Sequence, residues 1–370
     1  MPEMRMKDLH VTYRIECDAS EVDARAQAIA VEQSIEMPPA AVRSQRVRDE
    51  VIGEVTAIEP IEPSAYRVTI GLSLATTGLD AGQLLNMLFG NTSLQAEVSL
   101  LDFEADPDAL CGFGGPRFGI EGLRELVGAV ERPLTCSALK PQGLAPAELA
   151  ALAGELARGG VDIIKDDHGL ANQDFSPFAE RVPAVQAAVA KANRDTGGNT
   201  LYVPSLTGGP EAVRARWQLA RDEGVEMMML APMISGLSTL QYLASLPRSV
   251  PILAHPAMAG AARIAPQTLI GRLFRLCGAD AVIFPNHGGR FSYSPACCKA
   301  LAKAARQPWG RFKPAMPVPA GGMTPARVGE MVDFYGSDVM LLIGGALLGA
   351  AEGVEVAARS FSLGVKATGS

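Results

Sequence analysis

Residues 134–170 read LTCSALKPQGLAPAELAALAGELARGGVDIIKDDHGL, and the order of chemistry in that stretch decides the fold. An apolar run, Leu134 to Leu139, meets a polar break at Lys140, Pro141 and Gln142. The Ala-rich segment that follows, PAELAALAGELARGG, opens on Pro and closes on Gly, the start and stop signals of a helix. A second apolar run, Val161 to Ile164, then meets four consecutive ionisable residues, Lys165, Asp166, Asp167 and His168. Neither run alternates polar with apolar residues, which is the pattern of a strand buried on both faces. Strand, helix and strand in succession imply parallel strands joined by a right-handed crossover.

The same grammar recurs along the chain. Further strand candidates are Leu201 to Val203, Glu226 to Leu230, Pro251 to Ala254, Ala281 to Phe284, Met316 to Pro319 and Val339 to Ile343, with helical stretches such as EAVRARWQLARDEG and PARVGEMVDFYGS between them. Eight such units predict a closed (β/α)8 TIM barrel, because an open doubly wound sheet commonly stops at about five or six strands. Ahead of the barrel the pattern changes. It reads strand (His10 to Glu16), helix (Glu21 to Gln33), two strands (Glu54 to Ile58, Tyr66 to Leu72), helix (Gly82 to Phe89) and a strand near Glu97 to Leu101. That is a small ferredoxin-like α+β domain. The Gly- and Pro-dense CGFGGPRFG, residues 111–119, reads as a linker. The expected division is an α+β domain over residues 1–115 and a catalytic barrel over 116–370.

Composition narrows the function. A chain of 370 residues suits two domains. A formal net charge of -7 and the lack of any basic run give no reason to attract a nucleic-acid backbone. The six cysteines form no C-x-x-C and read as reduced thiols. No apolar run approaches bilayer length and the N-terminus lacks a signal-peptide pattern, so a cytoplasmic protein with no membrane partner is expected.

In such a barrel, side chains just past the C-terminal strand ends face one pocket, and polar residues gathered there indicate catalysis. Lys140 and Gln142 follow strand 1, Lys165, Asp167 and His168 follow strand 2, His255 follows strand 5, and Asn286 and His287 follow strand 6. Three of the four histidines therefore stand at strand ends. The strand-2 run reads either as a charged loop on the rim or as a divalent-cation site, where oxygen donors favour Mg²⁺. A lysine joins such a ligand set only as a carbamate formed with CO₂. Gly321-Gly322 and Gly344-Gly345 end strands 7 and 8, where backbone N–H groups commonly hold phosphate, the alternative being tight turns. The methionines of MMMLAPM, residues 227–233, are expected in the core, with a thioether-binding pocket as the alternative.

These residues carry a resemblance to the RuBisCO large subunit over nearly the whole chain, and more closely to the RuBisCO-like proteins that do not fix CO₂. GGVDIIKDDHGLANQDFSPF, residues 159–178, looks like the family's metal motif. The resemblance implies that Lys165 is the carbamylated lysine, that Asp167 is a second ligand, and that His168 replaces a glutamate. SALKPQG, residues 137–143, is similar to the strand-1 motif, which makes Lys140 the proton-moving lysine and puts Gln142 where a second lysine stands. ILAHPAM, residues 252–258, places His255 at the catalytic histidine and Pro256 at the arginine that grips a second phosphate. FPNHGGR, residues 284–290, has no counterpart of the lysine that holds CO₂. AGGM and IGGA look like the surviving phosphate site. Glu32 in AVEQS and Asn91 in FGNTS look like the residues that complete the partner's site, which implies a homodimer.

The departures imply enolisation of a sugar monophosphate without carboxylation. Asn91 stands where the methionine-salvage enolase branch carries a lysine. FPNHGGRFSYS and the short chain resemble instead the branch that turns 5-methylthioribulose 1-phosphate into 1-methylthioxylulose 5-phosphate. The resemblance leaves two other readings: a 2,3-diketo-5-methylthiopentyl-1-phosphate enolase or a sugar-acid phosphate decarboxylase, and a catalytically silent regulatory protein.

Overall fold

Two sheets with opposite strand pairing organise the molecule, a computed structural model that describes residues 7–289, 291 and 293–368. The first comprises β1 (Leu9–Glu16), β2 (Glu54–Glu62), β3 (Ala65–Leu72) and β4 (Val98–Ala105) in the order β2-β3-β1-β4. Its pairs are antiparallel. The period of two along β1 puts Leu9, Val11, Tyr13 and Ile15 on one buried face. Helices Val22–Glu32 and Ala81–Phe89 cover that face through Ala26, Ile29, Leu84 and Leu88. The second helix starts where the Asp80 carboxylate accepts the Gln83 N–H at 2.7 Å. Strand, helix, two strands, helix, strand is the ferredoxin-like arrangement expected.

The second sheet is parallel and runs β5 (Leu134–Leu139), β6 (Ile163–Asp166), β7 (Leu201–Val203), β8 (Ser205–Leu206), β9 (Met228–Leu230), β10 (Ile252–Ala254), β11 (Ala281–Pro285), β12 (Met316–Ala320) and β13 (Met340–Leu342). Their spatial order is β7-β6-β5-β13-β12-β11-β10-β9-β8. The nine segments make eight staves, because Pro204 interrupts the third. A proline has no N–H for the ladder, so the stave divides into β7 on one neighbour and β8 on the other. The Pro204 carbonyl still accepts the Met229 N–H at 2.9 Å, and the barrel closes through the chain itself.

Alternate strand residues fill two cores. Cys136, Ile163, Val203, Met229 and Val318 pack inside the barrel, whereas Ile164, Tyr202, Met228 and Phe284 pack under the helices. Helix Gly119–Val127 stoppers the lower end, adding Ile120, Leu123 and Val127 to the inner core. Asp280 seats it, accepting the N–H groups of Phe118 (2.7 Å) and Gly119 (2.8 Å) as well as that of Ile252 (3.0 Å). Burial outweighs those three donors and pushes the Asp280 carboxyl up to about 6.

The stretch read as a linker is built into the structure. Residues Ala109–Phe113 form a 3-10 turn that buries Leu110 and Phe113. Gly119 sits at φ +65°, where a Cβ would come within 2.8 Å of the Pro314 carbonyl oxygen. Gly119 thus serves a close backbone contact, a role that composition does not separate from flexibility. The two sheets are joined elsewhere too. Leu100 of β4 pairs with Ile264 as a parallel bridge. The Arg272 guanidinium lies 4.7 Å from the Phe103 ring centroid and 4.8 Å from that of Trp309, and it pairs with Asp102 at 2.6 Å. Among the described residues no helix is long and apolar enough to cross a membrane.

Two outcomes follow from this packing. Phe103→Ala, which empties a fully buried site between the sheets, is expected to lower the unfolding free energy by about 3–5 kcal/mol in urea titrations. Asp280 binds its proton more tightly folded than unfolded, so between roughly pH 4 and 6 its contribution to stability falls as pH rises, and it is flat above. The stability of the wild type relative to Asp280→Asn should therefore decline across that window by up to about 3 kcal/mol, measured by urea unfolding at each pH.

Candidate active site

The end of β6 faces two ways. The sequence places its four ionisable residues past the strand, but Lys165 and Asp166 are the strand's last two residues. Alternation sends Lys165 into the barrel mouth and Asp166 outward into the layer beneath the helices. Asp166 is fully buried and meets the equally buried Arg181 at 3.3 Å, the Tyr202 hydroxyl at 2.8 Å and the Ser205 N–H at 3.1 Å. Arg181 also donates to the carbonyls of Ser176 (2.7 Å) and Ala171 (2.9 Å). The pair thereby fastens the loop that follows His168. Of the four residues, this one is core.

Lys165, 3% exposed, donates from Nζ to the Asp166 carbonyl at 2.8 Å. Burial lowers its pKa, which favours the free amine. Asp167 returns to the mouth, with one carboxylate oxygen 3.0 Å from Lys140 Nζ and 3.5 Å from His168 Nδ1. Burial opposes its ionisation, but the contacts from His168 and Lys140 outweigh that and hold the carboxyl well below the usual carboxylate range. The His168 ring stacks on His255 at 4.5 Å between centroids and 9° between planes. Desolvation, helped by the Lys165 and His168 charges, pushes His255 down to about 3. Its Nδ1 accepts the Ala257 N–H at 3.1 Å, so the neutral ring carries its proton on Nε2.

These groups line one cavity of about 850 Å³ at the strand ends. Lys140, Lys165, Asp167, His168 and His255 form one wall, and Gly321, Gly322, Gly344 and Gly345 another. Gly344 and Gly345 open the short helix Gly345–Leu348. Sequence reasoning missed the apolar remainder, which includes Ala257, Ile283, Phe291 and Met323 beside Pro256. Only the proline at 256 signalled it. Met227, Met228 and Met229 are buried in the two cores, as the core reading of that run has it.

Other expected site residues stand apart. Gln142 lies over Gly169, where a Cβ would come within 1.5 Å of its Nε2 and 3.5 Å of Asp167 Oδ2. Asn286 borders the cavity, yet its Nδ2 rests 3.1 Å from the sulfurs of Met323 and Met331, and its Oδ1 accepts the Tyr335 hydroxyl at 2.6 Å. The His287 ring is turned onto Phe334, 4.6 Å between centroids. Within FPNHGGRFSYS, Arg290 and Ser292 lie outside the described residues. Asn91 Nδ2 donates to Glu32 at 2.9 Å and to Glu36 at 3.2 Å, on the N-terminal domain and away from this chain's own cavity.

Asp167 and His168 offer two metal donors, and among the described residues no group of three His, Cys, Asp or Glu converges. Lys165 lines the same cavity as these two residues. Its buried amine, whose pKa burial lowers, would fit carbamylation beside Asp167.

A family model, the ribulose bisphosphate carboxylase large chain catalytic domain, matches residues 119–286. Over 359 residues the chain is 52% identical to a ribulose bisphosphate carboxylase-like protein 1 of Rhodopseudomonas palustris, covering 97% of this chain and 98% of that one. It is also 52% identical over 341 residues to a 5-methylthioribulose-1-phosphate isomerase of Rhodospirillum rubrum, covering 92% and 91%. A crystal structure of a Rubisco-like protein from Rhodopseudomonas palustris superposes with a TM-score of 0.91 at 48% identity, over 98% of this chain and 99% of that one. The chain belongs to the RuBisCO large-chain family, among its RuBisCO-like proteins.

Arg181→Ala leaves the Asp166 carboxylate buried without its cation. The expected loss is about 3–5 kcal/mol of unfolding free energy in urea. An unchanged midpoint would refute the role given to the pair.

Proposed function

We propose that the protein isomerises 5-methylthioribulose 1-phosphate to 1-methylthioxylulose 5-phosphate, an enolisation without carbon fixation. The observation that carries this reading is the division of the cavity into an ionisable wall, a pair of glycine loops and an apolar flank at Pro256 and Phe291. One phosphate and one apolar substituent fit that division, and a second phosphate meets no cation at Pro256. The isomerase of Rhodospirillum rubrum, at 52% identity, supports it.

The glycine loops would hold the phosphate by backbone N–H groups and so fix the sugar across the cavity. Lys140 takes the carbon-bound proton, and Asp167 orients its Nζ from 3.0 Å. His255 Nε2–H donates to the oxygen on which charge develops, and the low pKa keeps the ring neutral in that role. Returning a proton to the neighbouring carbon moves the carbonyl along the chain, and repetition completes the isomerisation. Lys165 as its carbamate, Asp167 and His168 would hold a divalent cation, Mg²⁺ being the expected one. Bound there, it would polarise the substrate carbonyl. Glu32 and Asn91 would reach the cavity of the second protomer in a homodimer. Six free cysteines suit a reducing cytoplasm.

Turnover in deuterated water followed by proton NMR should place solvent deuterium on the carbon chain, and neither exchange nor product would refute the reading. Lys140→Ala is expected to lower kcat by about 10²–10⁴-fold. Chelation should abolish turnover and Mg²⁺ with bicarbonate restore it, whereas Lys165→Met should stay inactive throughout. Mixed from unfolded chains, the inactive Lys165→Met and Asn91→Ala proteins should recover roughly a quarter of wild-type activity if each site is shared between protomers.

A further inference from the structure

Asn286 and His287, at the end of β11, are gripped by one element, the turn Pro325–Arg327 and helix Val328–Tyr335 that follow the Gly321-Gly322 loop. Tyr335 donates to Asn286 at 2.6 Å, and Phe334 packs on the His287 ring. Arg327 closes the clasp. One guanidinium nitrogen donates to the Gly322 carbonyl at 2.9 Å and to the His287 carbonyl at 3.4 Å, so it bridges the loops that leave β12 and β11. Glu330 holds the other two nitrogens at 2.8 Å each, fixing the fork in plane.

The bridged loops leave no slack. A Cβ on Gly322 would come within 2.6 Å of Gly289 Cα, and one on Gly289 within 2.9 Å of the Gly321 carbonyl. Gly322 also sits at φ +65° and Gly321 at φ +87°. Such a backbone is held by its surroundings, since glycine alone pins nothing. Arg327 does not line the cavity, whereas Gly321 and Gly322 do.

We propose that Arg327 is a positioning residue for anion binding: by tying the Gly322 carbonyl to that of His287 it keeps the glycine loop in the shape that receives the substrate's phosphate. The inference rests on the reading of that loop as the phosphate subsite. Two consequences separate it from a merely structural role. Weakened binding should appear in KM and in affinity for inorganic phosphate, with kcat less affected. Lysine, which keeps the charge but lacks the fork, should recover only part of the loss.

The test measures inorganic phosphate binding by calorimetry, steady-state kinetics and thermal midpoints for the full-length wild type, Arg327→Ala and Arg327→Lys. The expected result is a phosphate Kd and a KM raised about tenfold or more in Arg327→Ala, kcat within about threefold, and intermediate values for Arg327→Lys. If Arg327→Ala does not fold, Arg327→Lys carries the comparison, with a raised Kd expected. Variants that bind phosphate like the wild type, whatever their midpoints, overturn the role of Arg327 and leave the isomerase reading standing. A wild type that neither binds phosphate nor turns over the sugar phosphate overturns both.

Discussion

The active site depends on the ability of β6 to end in charges pointing both ways. A strand that delivers Lys165 and Asp167 to the barrel mouth must, by the same pleat, send Asp166 into the layer under the helices. A lone carboxylate there would be untenable. Arg181, Tyr202 and the Ser205 N–H neutralise and saturate it. The same arginine pins the carbonyls of Ala171 and Ser176, so one buried pair orients both the strand end and the loop behind His168. The cost of desolvating two ions is recovered as definition of the site.

The chemistry at the mouth is a set of opposed pKa shifts in one small volume. Burial drives Lys165 and His255 toward their neutral forms, while Lys140 and His168 keep Asp167 ionised. The cavity thus sets an amine biased toward its neutral form and a neutral imidazole with one defined N–H beside an ionised carboxylate. Burial is the largest cause of the low His255 pKa, and the His168 ring stacked on it at 4.5 Å acts in the same direction.

Much of this was legible in the sequence wherever local chemistry and tertiary context agree. β5 spans Leu134–Leu139 as read, because an uninterrupted apolar run has no other use in a parallel barrel. Lys140, Lys165, Asp167, His168 and His255 stand at strand ends in the sequence, and they share one cavity. What escaped needed distant partners. Nothing near Asp166 announces Arg181, fifteen residues away on another face. Pro204 divides a stave whose neighbours on both sides must be known before the break has meaning. Asn286 and His287 stand at a strand end like catalytic groups, yet Tyr335 and Phe334 claim their side chains.

That last exception explains how one polar run can serve two ends. Residues 286–289 leave β11 directly over the Gly321-Gly322 turn, so close that neither Gly289 nor Gly322 admits a Cβ. A loop packed backbone to backbone has few side chains with which to define its own shape, and the definition must come from outside. The helix after the glycine pair supplies it with a hydroxyl, a ring and a guanidinium directed at two successive residues of the neighbouring loop. The geometry of the Gly321-Gly322 turn is therefore a property of two staves and the helix that follows the second. The end of β6, which carries Lys165, is fixed independently, through the pairing of Arg181 with Asp166.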